Sequence, residues 1–132
     1  MDIKLFLNKF GEDTTTNFDL IQWAKELHFP LRVVMKDEIK NLKRKKLPIY
    51  AILNYHLSNQ NGIHWVALYK SKDNSYYYDS YGIIPLKEAH DFLGHGIYST
   101  FQIQTMDQQF CGQISIFFLY QLLAFTYSHL FL

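Results

Sequence analysis

Cysteine is almost missing from this chain, since Cys111 is the only one in 132 residues. A single cysteine excludes an internal disulfide bond. No basic and apolar leader with a small-residue cleavage site opens the chain, so we expect an intracellular, reducing compartment rather than secretion. One cysteine and scattered histidines also lack the short paired spacing of a structural zinc site. We therefore expect no bound metal and no cofactor.

Charge is also scarce, at 19% of residues compared with roughly a quarter in soluble domains. The net charge of +1 indicates no partner by itself. Five basic residues nevertheless form one short run: Lys40, Lys43, Arg44, Lys45 and Lys46. Such a run can contact nucleic acid or an acidic partner, although a solvent-exposed loop between two elements is the commoner explanation.

Long apolar runs are nearly absent as well. Residues 114–132 come closest, but polar residues interrupt them: Ser115, Gln121, Thr126, Ser128 and His129. We therefore expect a buried helix there and no contact with a membrane. Its last part, residues 124–132, is expected to stay partly exposed, as a partner-binding or truncated end.

Aromatic residues are plentiful, at 17% of the chain. A chain of this length is about one domain long and can bury roughly two-thirds of its unfolded surface. We therefore expect residues 1–132 to form a single α+β domain with an aromatic-rich core.

Helices are predicted in three places. Thr16 and Asp19 have the spacing of a capping box, and apolar residues follow at helical spacing, which predicts a helix over residues 17–28. Residues 85–93 suit a short helix because a proline begins the segment and a glycine follows it. A long helix is predicted from residue 114 onward, with the cysteine at or just before its amino end.

Strand-like runs with β-branched and aromatic residues occupy residues 47–53, 64–69, 76–81 and 97–104. The polar residues 70–75 are turn formers. The second and third runs are therefore predicted to form an antiparallel hairpin.

Cys111 is a candidate nucleophile, although a lone cysteine is more often a small buried residue. Its predicted position favours the nucleophile, because the backbone dipoles at a helix amino end stabilise a thiolate. Gly112 would let a substrate backbone approach closely.

A base for the cysteine can come from six histidines. His64 is the best candidate because it stands at a strand entrance, and His56 is the second choice. If residue 70 faces residue 75, Asp79 lies one diagonal step from His64 on the same face of the hairpin. A carboxylate among tyrosines needs a partner, so Asp79 is predicted to orient His64.

Stabilising an oxyanion requires hydrogen-bond donors beside the nucleophile. The backbone amide of Cys111 is the first candidate. Four glutamines precede it, and composition does not choose among them: Gln102, Gln104, Gln108 and Gln109.

The order of these residues resembles that of adenain, the adenovirus protease, and of the related proteases of adintovirus and Polinton/Maverick elements. Residues 61–69 resemble the histidine strand of that family, and residues 76–82 resemble its acid strand. Gln104 stands seven residues before the cysteine and matches the family's oxyanion glutamine. The resemblance covers about residues 15–123. It implies a papain-like core, with a mixed sheet packed by helices and the catalytic cysteine at the amino end of a long buried helix.

The resemblance further implies a cysteine endopeptidase that acts through a thioester intermediate. Trp65 and Gly112 would line the substrate cleft. The family's substrates are capsid and core precursor proteins, which implies a role in the virion and in the host nucleus or cytoplasm. DNA stimulation is another family trait, and the basic run supports it here. The peptide cofactor of adenain binds a second cysteine, whose absence argues against such a cofactor.

Two alternatives remain open. A SUMO- or ubiquitin-like deconjugating protease shares the order of the site residues, but the spacing from Gln104 to Cys111 and the context of Asp79 favour the viral type. An inactive protease-fold binding module is the alternative from another class. The presence of all four site residues argues against it.

Overall fold

A mixed β-sheet organises the fold. The computed structural model describes residues 3–11, 16–55, 64–82, 84–94, 96–98 and 111–130. Along the chain, the elements are α1 (Ile3–Phe10), α2 (Asn17–Glu26), β1 (Leu31–Met35), a 3₁₀ helix (Lys36–Arg44), β2 (Ile49–Asn54), β3 (Trp65–Lys70), β4 (Ser75–Tyr78), α3 (Lys87–Leu93), β5 (Ile97–Tyr98) and α4 (Cys111–Leu130).

The strand order across the sheet is β1-β2-β3-β4-β5. β1 runs parallel to β2, and β4 runs parallel to β5. The central strand, β3, runs antiparallel to both of its neighbours, β2 and β4. All six residues of β2 and five of the six in β3 are buried, because helices cover both faces of the sheet.

Two hydrophobic cores lie on opposite faces of the sheet. The first contains residues of α1, α2 and α4, including Phe6, Leu20 and Ile114. The second contains residues of the 3₁₀ helix and α3, including Leu42 and Phe92. This arrangement confirms the predicted α+β fold with a mixed sheet packed by helices.

The predicted helices are present with small changes at their ends. The hydroxyl of Thr16 accepts a hydrogen bond from the Asp19 amide at 3.1 Å, and the Asp19 carboxylate accepts one from the Thr16 amide at 3.0 Å. This capping box confirms the predicted start of α2. α3 begins at Lys87 rather than at residue 85, and Gly94 ends it with a φ of 69°.

The predicted hairpin is confirmed, with Lys70 facing Ser75. β4 is shorter than predicted and ends at Tyr78, because the chain turns at Asp79. The backbone carbonyl of Asp79 accepts the amide of Gly82 at 2.8 Å. β5 begins at the predicted residue, and residues 99–104 of that predicted strand lie outside the described residues. The sequence patterns predict neither α1 nor β1.

α4 is the predicted long buried helix, and it begins three residues earlier than residue 114. Its first six residues, from Cys111 to Ile116, are all buried, whereas Ala124 is exposed. Among the described residues, no helix has the length and apolar character needed to cross a membrane.

Candidate active site

The beginning of β3 and the amino end of α4 meet at Cys111. The cysteine is the first residue of α4, and it is buried. The backbone amide of Trp65 donates a hydrogen bond to the Cys111 sulfur at 3.4 Å. One turn along the helix, the Ser115 hydroxyl donates to the Trp65 carbonyl oxygen at 3.2 Å. These two contacts join the first turn of α4 to the beginning of β3.

His64 and Asp79 form a buried pair beside this junction. His64 directly precedes β3 and Asp79 directly follows β4, so the hairpin brings both side chains to the same end of the sheet. His64 Nε2 and Asp79 Oδ1 are 2.8 Å apart. The Asp79 side chain is fully buried, so its charge must be compensated within the protein.

The electrostatics of the site favour a charged histidine. Burial lowers the pKa of His64, but interactions with Asp79 and with Cys111 outweigh burial and raise it to about 9. The contacts with Asp79 and Cys111 therefore favour the imidazolium form of His64 at neutral pH. Its Nδ1 atom is buried and makes no hydrogen bond of standard geometry within the described residues. Because Nε2 is hydrogen-bonded to Asp79, Nδ1 is the ring nitrogen that can exchange a proton with Cys111.

Asp79 accepts hydrogen bonds on both carboxylate oxygens. Oδ1 also accepts the backbone amide of Tyr81 at 2.8 Å, and Oδ2 accepts the hydroxyl of Tyr55 at 3.3 Å. With His64, three donors surround the carboxylate. Hydrogen bonds to a charged group are strong, and together they offset the burial of this charge.

Two tyrosine rings enclose the imidazole. Tyr81 stacks on His64 with ring centroids 4.4 Å apart and an angle of 13° between the planes. Tyr55 meets the same ring edge-on at 5.2 Å and 87°. The ring of His64 is therefore held in one orientation.

Sequence reasoning missed Tyr55 and its hydrogen-bond partner Tyr77. Tyr55 follows β2, which no motif connects to the hairpin. The sequence offers one signal for Tyr55, a side chain with a polar hydroxyl directly after a buried strand. This signal is weak because tyrosine is abundant in this chain.

The remaining predicted site residues are distributed as follows. Trp65 is 5% exposed and belongs to the first core together with Cys111, and its backbone amide donates to the Cys111 sulfur. Gly112 is buried in the first turn of α4. His56 and the four glutamines lie outside the described residues: Gln102, Gln104, Gln108 and Gln109.

The basic run lies on the other side of the sheet from Cys111. Lys40, Lys43 and Arg44 belong to the 3₁₀ helix, whose buried residues pack in the second core. These three residues, together with Lys45 and Lys46, are exposed. The structure therefore does not bring the run to the His64–Asp79 pair.

No group of three or more His, Cys, Asp or Glu side chains in the described part of the chain could hold a metal ion. A cysteine, a histidine and an orienting carboxylate are the groups that nucleophilic acyl transfer requires.

Comparison with known proteins shows a likeness in structure but none in sequence. No family model matches the sequence, and no curated protein matches it. In structure, the chain is similar to the selenomethionine form of the ASFV pS273R protease, with a TM-score of 0.55 and 18% sequence identity. The chain has the fold of a viral protease. The match covers 82% of this chain and 57% of the ASFV chain, so this chain spans little more than half of that protein's length.

Proposed function

We propose that this chain is a cysteine endopeptidase in which Cys111 is the nucleophile, His64 its acid and base, and Asp79 the group that orients His64. The observation that carries the proposal is the buried 2.8 Å contact between His64 and Asp79, beside the one cysteine of the chain at a helix amino end. The likeness to a viral protease supports this assignment through the fold.

The proposed reaction is acyl transfer in two stages. Cys111 and His64 react as a thiolate–imidazolium pair, in which His64 already holds the thiol proton, and the thiolate sulfur attacks the peptide carbonyl carbon. His64 then gives its proton to the leaving amine as the carbon–nitrogen bond breaks. A water molecule, deprotonated by His64, hydrolyses the thioester and regenerates the thiol. The backbone amide of Cys111 and the side-chain amide of Gln104 would stabilise the oxyanion.

The substrate class follows from the sequence resemblance. We assign polypeptide substrates, namely capsid or core precursor proteins of a virus or transposon of the adintovirus or Polinton/Maverick type. Maturation would take place in the virion or in the nucleus or cytoplasm of the host cell. Trp65 and Gly112 would flank the substrate backbone beside Cys111.

DNA is the proposed stimulating partner, and the exposed basic run is its proposed contact. Its five side chains carry positive charge into solvent on the face of the sheet opposite Cys111. This position suits a polyanion that concentrates enzyme and substrate together without entering the cleft.

Cleavage of a peptide library, with and without DNA, tests the proposed activity. We expect the wild-type chain to cleave, and we expect the Cys111→Ala variant to lose cleavage while keeping its circular dichroism spectrum. His64→Ala should be almost as severe, whereas His90→Ala, at an exposed histidine, is the matched control and should retain activity. Equal cleavage by wild type and Cys111→Ala would overturn the mechanism.

Two further experiments test the alternatives, a deconjugating protease and an inactive binding module. Preferential cleavage of a SUMO fusion over capsid-precursor peptides would favour the deconjugating protease. A thiol-reactive peptide aldehyde or vinyl sulfone should label Cys111. An unlabelled thiol would favour the inactive binding module.

A further inference from the structure

Tyr55 contacts both members of the His64–Asp79 pair. Its backbone amide donates to the His64 carbonyl oxygen at 3.1 Å. Its hydroxyl donates to Asp79 Oδ2 at 3.3 Å. One residue at the end of β2 thus holds the main chain of His64 and the side chain of Asp79.

The hydrogen bond between Tyr55 and Tyr77 has a definite direction. A phenol has one proton, and Tyr55 donates its proton to Asp79. The bond between the two hydroxyls must therefore be donated by Tyr77. Burial raises the pKa of Tyr55 to about 12 and also raises the pKa of Tyr77, so both phenols remain donors at neutral pH.

Tyr77 anchors this chain of hydrogen bonds in the sheet. Its ring is 2% exposed and packs in the second core, while its backbone pairs with β3 and β5. Asp79 follows β4 directly, where strand pairing no longer holds the backbone. A fixed donor on Oδ2 sets the plane of the carboxylate, and that plane decides whether Oδ1 faces His64.

We propose that Tyr77 and Tyr55 act as positioning residues, donating in series to Asp79 and thereby holding its carboxylate in the plane that keeps Oδ1 on His64. This inference rests on the proposed function for its catalytic consequence. The hydrogen-bonded geometry can nevertheless be tested without proteolysis, through the protonation of His64.

Three single variants test the proposal: Tyr55→Phe, Tyr77→Phe and the control Tyr76→Phe. Tyr76 is the neighbour of Tyr77 on β4, but it packs with the first core and stacks on Tyr69. Each substitution removes one hydroxyl and keeps the ring. Thermal unfolding of all three establishes that the comparison is made between folded proteins.

The first measurement is the pKa of His64, by NMR of its labelled imidazole. In Tyr55→Phe we expect the pKa to fall from about 9 toward its ordinary value of 6.5, because the carboxylate loses its fixed plane. Tyr77→Phe should cause a smaller fall, and Tyr76→Phe none. Equal pKa values for His64 in wild type, Tyr55→Phe and Tyr76→Phe would overturn the proposal.

The second measurement is peptide cleavage. We expect Tyr55→Phe to lower kcat by about tenfold with little change in KM, since no substrate contact is removed. In an Asp79→Asn background the same substitution should have no further effect. A full additional loss in that background would show that Tyr55 acts by some route other than Asp79 and would overturn the proposal.

These two measurements separate the positioning role from the proposed function. If the wild-type chain cleaves no peptide, yet the pKa of His64 falls in Tyr55→Phe, the positioning role stands and the protease assignment fails. If the wild type cleaves and Tyr55→Phe matches Tyr76→Phe in both measurements, the protease assignment stands and the positioning role fails.

Discussion

At the scale of single residues, the site depends on how the charge of Asp79 is satisfied. The carboxylate is fully buried, and three donors from His64, Tyr81 and Tyr55 surround it. Replacing Asp79 with asparagine therefore tests the charge of the side chain separately from its volume. An asparagine keeps the volume but offers one acceptor oxygen in place of two, and it cannot stabilise an imidazolium.

We expect Asp79→Asn to lower kcat by about ten- to a hundredfold without abolishing cleavage, because a cysteine–imidazole pair keeps part of its reactivity without the third group. Steady-state kinetics and thermal unfolding should be measured together. Glu88→Gln, at an exposed carboxylate on α3, is a control for the loss of one negative charge. A wild-type rate in Asp79→Asn would mean that another residue orients His64.

Gln104 lies outside the described residues, so its proposed role as the oxyanion donor rests on the sequence alone. An oxyanion donor acts when the carbonyl oxygen becomes negative, so Gln104→Ala should lower kcat by roughly a hundredfold or more with little change in KM. Alanine variants of Gln102, Gln108 and Gln109 are its matched controls and should lose less than about tenfold. A larger loss at Gln108 or Gln109 would refute the choice of Gln104 and the resemblance behind it.

At the scale of elements, the β3–β4 hairpin and α4 build the site together. The hairpin brings His64 and Asp79 to one end of the sheet, and α4 places Cys111 against the amide of Trp65. The 3₁₀ helix packs on the opposite face and presents the basic run. The proposed catalytic site and the proposed DNA contact therefore lie on different elements and can be altered separately.

Charge reversal in the basic run tests the DNA contact. We expect Lys43→Glu combined with Lys45→Glu to remove DNA stimulation and to leave basal cleavage unchanged, because both side chains are exposed and lie away from Cys111. The control is Lys4→Glu combined with Lys25→Glu, the same change of charge at exposed lysines on α1 and α2. The measurement is cleavage against DNA concentration at two salt concentrations. Equal loss of stimulation in both double variants would mean that net charge, not the basic run, is responsible.

At the scale of the whole molecule, the raised pKa of His64 links stability to pH. The pKa is about 9 in the folded chain and 6.5 in an unfolded one. Between these values the folded state binds more protons, so the free energy of unfolding must fall as the pH rises. The stabilisation is complete below about pH 6.5 and is lost above about pH 9.

Denaturant unfolding across this pH range measures the effect. We expect the free energy of unfolding to fall by up to about 3 kcal/mol between pH 6.5 and 9. The slope should be absent in His64→Gln and retained in His90→Gln, whose side chain is exposed. A wild-type chain with no slope in this window would show that His64 is neutral at pH 7, contrary to its contacts with Asp79 and Cys111.

The structural comparison with the ASFV protease covers only part of that protein. The likeness to the ASFV protease extends over most of this chain but little more than half of that one. The prediction that residues 1–132 form a single domain stays a prediction, as do the viral or transposon origin and the precursor substrates.

The sequence by itself determined the features that depend on neighbouring residues. Thr16 and Asp19 lie three positions apart and set the start of α2. The polar turn between β3 and β4 sets the pairing of Lys70 with Ser75, and that register brings Asp79 to His64. Such signals can be read from the sequence because the interacting groups are close along the chain.

Only the tertiary structure decided which residues surround the pair. Tyr55 reaches Asp79 across 24 positions of sequence, and Trp65 reaches Cys111 across 46. Both contacts require β2, β3 and α4 to be packed first, and no local pattern encodes that packing. The helix α1 and the strand β1 were missed for the same reason, because their stability comes from packing against distant parts of the chain rather than from their own short sequences.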